Sequence, residues 1–385
     1  MSLAISTFSN KRGGDCLFKA LGHPLVVPRL RVLLSDLERT GPVAIYDPHN
    51  AATTLAALYA TRLIKISDVY VQKIEDLNRT IFGQRTQPVS ALSGTRAKTL
   101  FVVAYDADSL IHQIQHLLPQ GVKCVTLDAA RLPDEMLTSR NHYLTSLNFA
   151  TNFVFFRDAD GFHTRLMSAN YWHRYGARGV KLWVQLFDEA GHELASWKDL
   201  LPDSGAGFTI DSQQVRSRYD TGPFVGQLYI HAVNVRGHDV VKYALDIYGD
   251  DTGTLSCTHD ANAWPSDLYA GLPAPAPGER VTLWVQNSHP TEIPPNSIGL
   301  NRMGSQEVGW LGKGIAPFGS YALDVSTLLP ELAWPEQIEI RAGKYMVRPR
   351  YEIDTRVNRR IAHVNVERTD LVPDKRLAEL GNLVG

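Results

Sequence analysis

Two short motifs occur twice, in the same order, in this chain of 385 residues. Ala169-Asn170-Tyr171-Trp172 precedes Leu182-Trp183-Val184-Gln185, and Ala261-Asn262-Ala263-Trp264 precedes Leu283-Trp284-Val285-Gln286. Motifs that recur in the same order are typical of a duplicated structural unit. The second half of the chain is therefore expected to hold two tandem copies of one fold.

Short strands separated by Gly, Asn and Asp turns fill the sequence from about residue 150. The pattern predicts three hairpins, which pair 153–156 with 164–170, 180–187 with 192–197, and 224–235 with 240–248. Strands of this length, with a turn about every ten residues, predict antiparallel β-sandwiches of an Ig-like or jelly-roll-like kind. We place one sandwich repeat at 146–252, a second at 253–370 and a tail at 371–385.

Residues 1–145 instead alternate helices with apolar strands. The alternation predicts a parallel sheet covered by helices on both faces, which is a Rossmann-like α/β domain. Helices are expected over 24–40, 51–62 and 108–118, and strands over 43–46, 68–72, 99–105 and 122–127. The fold class expected for the whole chain is thus α/β plus β, with one Rossmann-like domain and two tandem β-sandwich repeats.

Two strand-to-helix corners of the first domain resemble each other and end in Asp47 and Asp106. Ligands of open α/β sheets bind beyond the carboxyl ends of the strands, so these carboxylates, with His49 and Asn50, are candidate ligand-binding residues. The alternative is that each Asp caps the helix that follows it, and the local sequence alone accounts for capping. The first corner lacks the Gly-x-Gly-x-x-Gly fingerprint, which argues against a dinucleotide and leaves the cofactor unknown.

Alternation along the repeated strand places Trp183 and Gln185 on the face opposite its apolar core face. Trp284 and Gln286 are expected on the same face of the second copy. A Trp ring beside an amide has the chemistry of a sugar-stacking platform, which makes these four residues candidates for binding a carbohydrate. The alternative, which we favour because three units must be joined, is that they form an interface between units.

Histidines cluster in the β half, and three of them are candidate ligands of a single divalent metal: His231, His238 and His259. Such a site needs imidazoles that converge from different strands. Aligning the copies on the shared Trp places His259 opposite Met167 and His231 opposite Arg341, which excludes two equivalent metal sites. The alternative is that these histidines bond to neighbouring backbone or lie on the surface.

The amino-acid composition limits the classes of partner that this protein is expected to bind. The 39 basic and 40 acidic residues give a formal net charge of -1, without the basic excess that nucleic acid binding needs. No apolar run reaches the length of a membrane span, so membrane insertion is not expected. Three scattered cysteines (Cys16, Cys124 and Cys257) and the lack of an export signal indicate a cytoplasmic protein.

No catalytic motif is recognisable in the sequence. The expected function is a ligand-binding or assembly protein that recognises a small molecule, a carbohydrate or a partner protein through its β-sandwich half. One alternative is an enzyme that acts on a sugar or nucleotide at the strand-end crevice of the first domain. Another is a metal-dependent enzyme that uses the sandwich histidines.

Overall fold

The computed structural model describes residues 2–9, 13–59, 61, 63–251, 253–261, 264–355 and 359–366. Within these ranges the protein is mixed α/β, with one mostly parallel sheet and several antiparallel sheets. The tail expected at 371–385 lies outside the described residues, as do Asn262 and Ala263 of the second motif. None of the described helices has the length and apolarity needed to cross a membrane.

Within the described ranges, the N-terminal part contains four of the five α-helices, together with the parallel strands. Its elements are, in order, β1 (Phe8–Ser9), β2 (Gly13–Gly14), α1 (Leu17–Gly22), α2 (Val27–Arg39), β3 (Val43–Asp47), α3 (Ala52–Leu58), β4 (Ile66–Val71), β5 (Thr80–Ile81), β6 (Gln84–Pro88), β7 (Thr99–Val102), α4 (Asp108–Ile114) and β8 (Lys123–Thr126).

The sheet of the N-terminal part has the order β5-β6-β4-β3-β7-β8, in which only the short β5 is antiparallel. All five residues of its central strand β3 are buried, as expected for a strand covered on both faces. The predicted parallel sheet is confirmed at this level. The sequence pattern missed β5 and β6, because Gln84-Arg-Thr-Gln-Pro88 is polar and offers no apolar run.

The remaining elements are almost entirely antiparallel strands. They are β9 (Ala150–Ala159), β10 (Phe162–Ala169), β11 (Lys181–Asp188), β12 (Glu193–Leu200), β13 (Gly207–Asp211), α5 (Ser212–Tyr219), β14 (Phe224–Val233), β15 (Tyr243–Gly249), β16 (Leu255–Asp260), β17 (Leu268–Pro273), β18 (Arg280–Gln286), β19 (Gly299–Arg302), β20 (Gly309–Trp310), β21 (Ser320–Asp324), β22 (Gln337–Arg341), β23 (Arg350–Asp354), β24 (Arg359–His363) and β25 (Asn365–Val366).

An eight-stranded sheet forms the middle of the protein, with the order β12-β11-β14-β9-β10-β15-β16 and with β13 beside β10. Hairpins join β9 to β10 and β11 to β12, and the second has the predicted pairing. In the first, Ala159 pairs with Phe162 and Asp158 with His163, so the predicted pairing of 153–156 with 164–170 is wrong. The predicted pairing of 224–235 with 240–248 is wrong, because β14 pairs with β9 and β11 whereas β15 pairs with β10 and β16. The connection of nine residues between β14 and β15 is long enough to carry the chain to a different neighbour.

The last part forms a five-stranded sheet, β20-β19-β22-β17-β25, and a four-stranded sheet, β21-β18-β23-β24. Strand β16, which the boundary at residue 253 assigns to the second repeat, is hydrogen-bonded to β15 of the large sheet. The expected core face of the repeated strand is observed in both copies. Its Val and Leu side chains are fully or almost fully buried: Val180, Leu182, Val184, Leu186, Val281, Leu283 and Val285.

The opposite face of the large sheet carries the contacts between units. The Gln227 amide donates to the backbone oxygens of Asn287, at 2.8 Å, and Phe318, at 2.6 Å. The Arg157 guanidinium forms a buried ion pair with Glu352 on β23, with Nη2 at 2.8 Å from Oε1. Because polar groups this deep are bonded to specific partners across the boundary, the β units pack in one defined arrangement.

Candidate functional site

A cleft of about 410 Å³ opens beside the turn that joins β9 to β10. Asp160 and Gly161 form this two-residue turn with φ values of 55° and 73°, which is the combination that type I′ hairpins require. The turn sets the register so that Asp158 faces His163 across the hairpin. The polar residues lining the cleft are Asp158, Asp160, His163, Gln213, Arg216, Ser217 and Asp250.

His163 is the centre of this cleft, with a carboxylate beside each ring nitrogen. Its Nδ1 lies 3.4 Å from Oδ2 of Asp158, and its Nε2 lies 2.8 Å from Oδ1 of Asp250. The residues His163 and Asp158 are only 5% and 1% exposed, whereas the side chain of Asp250 is 71% exposed. The imidazole therefore connects a buried carboxylate to one at the solvent edge.

Neighbouring elements hold this arrangement in place. Arg216 on α5 donates from Nη1 to Oδ1 of Asp158 at 2.9 Å. Helix α5 begins at Ser212 because the Asp211 side chain accepts from the backbone N–H of Gln213, as N-capping residues do. The same helix places the Gln213 amide next to His163, with the two Nε2 atoms 3.1 Å apart.

The Nε2 atom of His163 has two neighbours of opposite hydrogen-bonding character. The Asp250 carboxylate can only accept a hydrogen bond, and the Nε2 amide group of Gln213 can only donate one. A protonated ring nitrogen donates to Asp250, and an unprotonated one accepts from Gln213. Each protonation state of this nitrogen thus has a hydrogen-bond partner, as expected for a group that exchanges a proton with a ligand.

The same geometry argues against a metal at His163. The two carboxylates lie at opposite ring nitrogens, so they do not converge with the imidazole on a single ion. In the described part of the chain no group of three or more His, Cys, Asp or Glu side chains is placed to hold a metal.

The residues predicted at the strand-end crevice are placed as follows. Asp47 is buried at the end of β3, and its two carboxylate oxygens accept from the backbone N–H groups of Ala51, at 2.8 Å, and Ala52, at 3.1 Å. It therefore caps α3, as the alternative interpretation holds. Burial raises the pKa of Asp47 to about 6. His49 and Asn50 are exposed on the loop that follows.

Asp106 does not cap α4. The carboxylate of Asp128 accepts from the backbone N–H groups of Asp106 and Ala107, at 2.9 and 3.0 Å, and so takes that place. Asp106 instead binds the Arg131 guanidinium at 2.8 Å and accepts from the backbone N–H of Tyr143 at 2.8 Å. The similar sequence of the two corners thus corresponds to two different structures, and Asp106 ties the sheet to the segment that follows β8.

The predicted Trp and Gln face is largely buried between units. Trp284 is 5% exposed and packs on Phe155 of the large sheet, with ring centroids 4.8 Å apart. The Gln286 amide donates to the backbone oxygen of Gly226 at 3.0 Å. These are contacts of the kind found at an interface between units. A ring covered by protein has no face left for a sugar.

In the first copy this face is covered in part, by side chains of its own sheet, and Trp183 is half-buried. The ammonium group of Lys198 stands 3.6 Å from the centroid of the Trp183 ring, a close cation–π contact. Gln185 is buried and donates to the carboxylate of Glu193 at 2.7 Å.

The three histidines proposed to bind a metal have separate surroundings. His231 is fully buried on β14, where its Nδ1 lies 2.9 Å from Nε2 of His23 and its Nε2 lies 3.0 Å from the backbone oxygen of Met136. His238 is half-buried with Nε2 at 3.0 Å from the Tyr175 hydroxyl, and His259 is exposed on β16. The structure does not bring them together.

The predicted hairpin of 153–156 with 164–170 left Asp158 and His163 outside its strands, so the sequence did not single out the His163 cleft. A signal was present in the dipeptide Asp160-Gly161, since Asp-Gly between apolar segments is a strong indication of a two-residue hairpin turn. Such a turn places 158 opposite 163. The contributions of Gln213, Arg216 and Asp250 come from distant segments, and no local pattern predicts them.

Comparison of the chain with protein-family models, with curated proteins and with solved structures found no match.

Proposed function

We propose that this protein binds a small polar ligand in the His163 cleft and that His163 exchanges a proton with it. The observation that carries the proposal is the pair of opposite partners, Asp250 and Gln213, at one ring nitrogen. A site that only fixes a histidine in place needs one partner per nitrogen, and a proton-exchanging site gains from two.

The surroundings of His163 support the same conclusion. Asp158 is buried beside the other ring nitrogen and is itself held by Arg216. The Asp158 carboxylate at Nδ1 and the Asp250 carboxylate at Nε2 hold the ring between them. The cleft volume of about 410 Å³ falls within the usual range for small-molecule sites.

The ligand class that fits this lining is a compact, hydroxyl-rich or otherwise strongly polar molecule. Carboxylate, amide and guanidinium groups provide donors and acceptors of the kind that bind sugar hydroxyls. We therefore retain a carbohydrate as one member of the proposed ligand class and move its site from the Trp and Gln face to the His163 cleft.

Two finer statements about the fold are also proposals. We propose that the N-terminal sheet is doubly wound, since its parallel strands, numbered along the chain, lie in the order third, second, first, fourth, fifth. We propose that the β units arose by duplication, supported by the two motifs and by the place of β11 and β18, each next to an edge strand of its sheet. The free state of Cys16, Cys124 and Cys257 supports the proposed cytoplasmic location.

The experiment is a ligand screen on the wild-type protein and on two matched variants. Polar small molecules, including sugars, amino acids and amines, are screened by ligand-observed NMR, and binders are measured by titration calorimetry. His163→Gln removes the imidazole of the cleft. His192→Gln removes an exposed histidine that is also paired with a carboxylate, at 3.4 Å from Asp188, but lies outside the cleft.

We expect binding to weaken by about tenfold or more in His163→Gln, equivalent to about 1.4 kcal/mol, and to be unchanged in His192→Gln. Proton exchange is tested by repeating the calorimetry in buffers with different ionisation enthalpies. The apparent enthalpy should depend on the buffer for the wild type and not for His163→Gln. A ligand whose affinity and buffer dependence both survive His163→Gln would contradict the proposal.

A further inference from the structure

The charges of the groups that line the His163 cleft do not sum to zero. Asp158, Asp160 and Asp250 bring three negative charges, and Arg216 brings one positive charge. The lining is therefore negative whether His163 is neutral or protonated. One guanidinium nitrogen of Arg216 is already bonded to Asp158 at 2.9 Å, so the positive charge of Arg216 is partly offset.

Further carboxylates lie at the same end of the large sheet. Strand β14 runs between β9 and β11, and its residues 224 and 226 face Asp158 and Asp188. The turn that follows β11 therefore lies near the cleft. Burial raises the pKa of Glu189 in that turn, and the negative charges of Asp188 and Asp160 raise it further. Carboxylates thus continue beyond the lining of the cleft, together with the ammonium group of Lys313, which lowers the pKa of Glu189.

Buried polar atoms in the cleft wall provide a second, independent observation. Oδ2 of Asp158 and Nδ1 of His163 lie 3.4 Å apart, on side chains that are more than nine-tenths buried. Neither atom has a hydrogen-bond partner among the described residues. A buried carboxylate oxygen without a hydrogen bond is costly, so a donor that enters the cleft would be stabilised there.

We infer that the ligand of the His163 cleft is a cation, with a primary ammonium or guanidinium group that donates to the carboxylates of Asp158, Asp160 and Asp250. This inference rests on the proposed function of the cleft. The carboxylates have the acceptors that the N–H groups of such a cation need. The carboxylates of Asp160 and Asp250 are exposed, so an incoming cation can reach them from solvent.

The test uses three sugars of the same ring size that differ in charge. D-glucosamine carries an ammonium group, D-glucose is neutral, and D-glucuronate carries a carboxylate. Agmatine serves as a cation without a sugar ring. Their dissociation constants are measured by calorimetry at neutral pH and low salt for the wild type, Asp160→Asn, Asp250→Asn and His163→Gln. Asp36→Asn, on the exposed surface of α2, is the matched control.

We expect D-glucosamine or agmatine to bind about tenfold more tightly than D-glucose, and D-glucuronate to bind more weakly than D-glucose. The preference should fall about threefold in each of Asp160→Asn and Asp250→Asn and be unchanged in Asp36→Asn. High salt should reduce the preference, because it screens charges that are partly exposed.

Two outcomes separate this inference from the proposed function. If D-glucose binds as tightly as D-glucosamine and agmatine, and His163→Gln still abolishes binding, the cation inference is wrong and the proposed function stands. If the cations bind with no loss in His163→Gln, the proposed role of His163 is wrong. If neither cation binds to the wild type, the cation inference is wrong.

Discussion

His23 and His231 share a hydrogen bond of 2.9 Å whose direction is fixed at both ends. The backbone oxygen of Met136 accepts from Nε2 of His231, so Nδ1 of a neutral His231 is an acceptor. The backbone N–H of Leu25 donates to Nδ1 of His23, which leaves Nε2 of His23 as the donor. Two neutral imidazoles thus join α1 to the large sheet, and the bond is lost if His231 is protonated.

The first prediction concerns pH. Burial lowers the pKa of His231 and of His289 to about 4, and burial together with His231 lowers the pKa of His23 well below its usual value. The unfolded chain takes up these protons below about pH 6.5. The free energy of unfolding should therefore fall as the pH drops from about 6.5 to about 4, by about 1.4 kcal/mol per pH unit for each histidine. Urea unfolding at several pH values measures this fall in the free energy of unfolding.

Asp47 and Glu189, whose pKa values burial raises, act in the opposite direction, but the three buried histidines outweigh them. His289→Gln isolates one contribution, because Gln can still donate to the backbone oxygen of Lys344, which accepts from His289 at 2.8 Å, and does not titrate. Its slope should be lower by about 1.4 kcal/mol per pH unit. Equal slopes for this variant and the wild type would refute the assignment.

The second prediction separates capping from ligand binding at Asp47. Asp47→Ala removes both acceptors for the backbone N–H groups of Ala51 and Ala52. We expect a loss of about 1–2 kcal/mol in the free energy of unfolding, the usual effect of removing a helix cap. Ligand affinity in the calorimetric assay should be unchanged. A variant of normal stability that no longer binds ligand would show instead that Asp47 belongs to a binding site.

The third prediction tests the buried face of the repeated motif. Trp284→Ala leaves a cavity beside Phe155, and we expect the free energy of unfolding to fall by about 3–5 kcal/mol. Trp310→Ala is the matched control, because Trp310 is 43% exposed and should cost about 1 kcal/mol or less. Both values come from denaturant unfolding followed by circular dichroism. Similar losses in the two variants would contradict the interface assignment of Trp284.

The fourth prediction concerns the buried ion pair of Arg157 and Glu352, whose side chains are 3% and 5% exposed. Either single variant, Arg157→Met or Glu352→Leu, leaves an uncompensated buried charge and should cost about 3–5 kcal/mol. The double variant should be more stable than either single variant, because no charge remains buried. A double-mutant cycle of unfolding free energies measures the coupling. Additive losses would show that the two residues do not interact.

The elements that local periodicity encodes were predicted correctly from the sequence. The spacing of Leu30, Leu33, Leu34 and Leu37 gave α2, and the alternation around Trp183 gave the core face of β11. Periodicity fails where a strand is polar, as in β6, or where the partner of a strand depends on a long connection, as for β14 and β15. Pairing is then decided by tertiary packing, which a single strand does not encode.

The candidate site was harder to predict from the sequence, for a related reason. His163 and Asp158 come together through one turn, but Gln213 and Asp250 reach the same ring from α5 and from the end of β15. Of the histidines in the β half, His231 was a candidate metal ligand, but it bonds to His23 inside the protein. Spacing along the chain does not distinguish a buried histidine from one that lines a cleft.

The most direct measurement of the central claim is an imidazole ¹⁵N NMR titration of the uniformly labelled protein with the tightest ligand from the screen. The two ring nitrogens of a histidine report separately on the presence of a proton. We expect Nε2 of His163 to change most on ligand addition, with its Nδ1 and the buried His231 changing little. A saturating ligand that leaves the His163 signals unchanged while another histidine responds would contradict the claim that His163 exchanges a proton with the ligand.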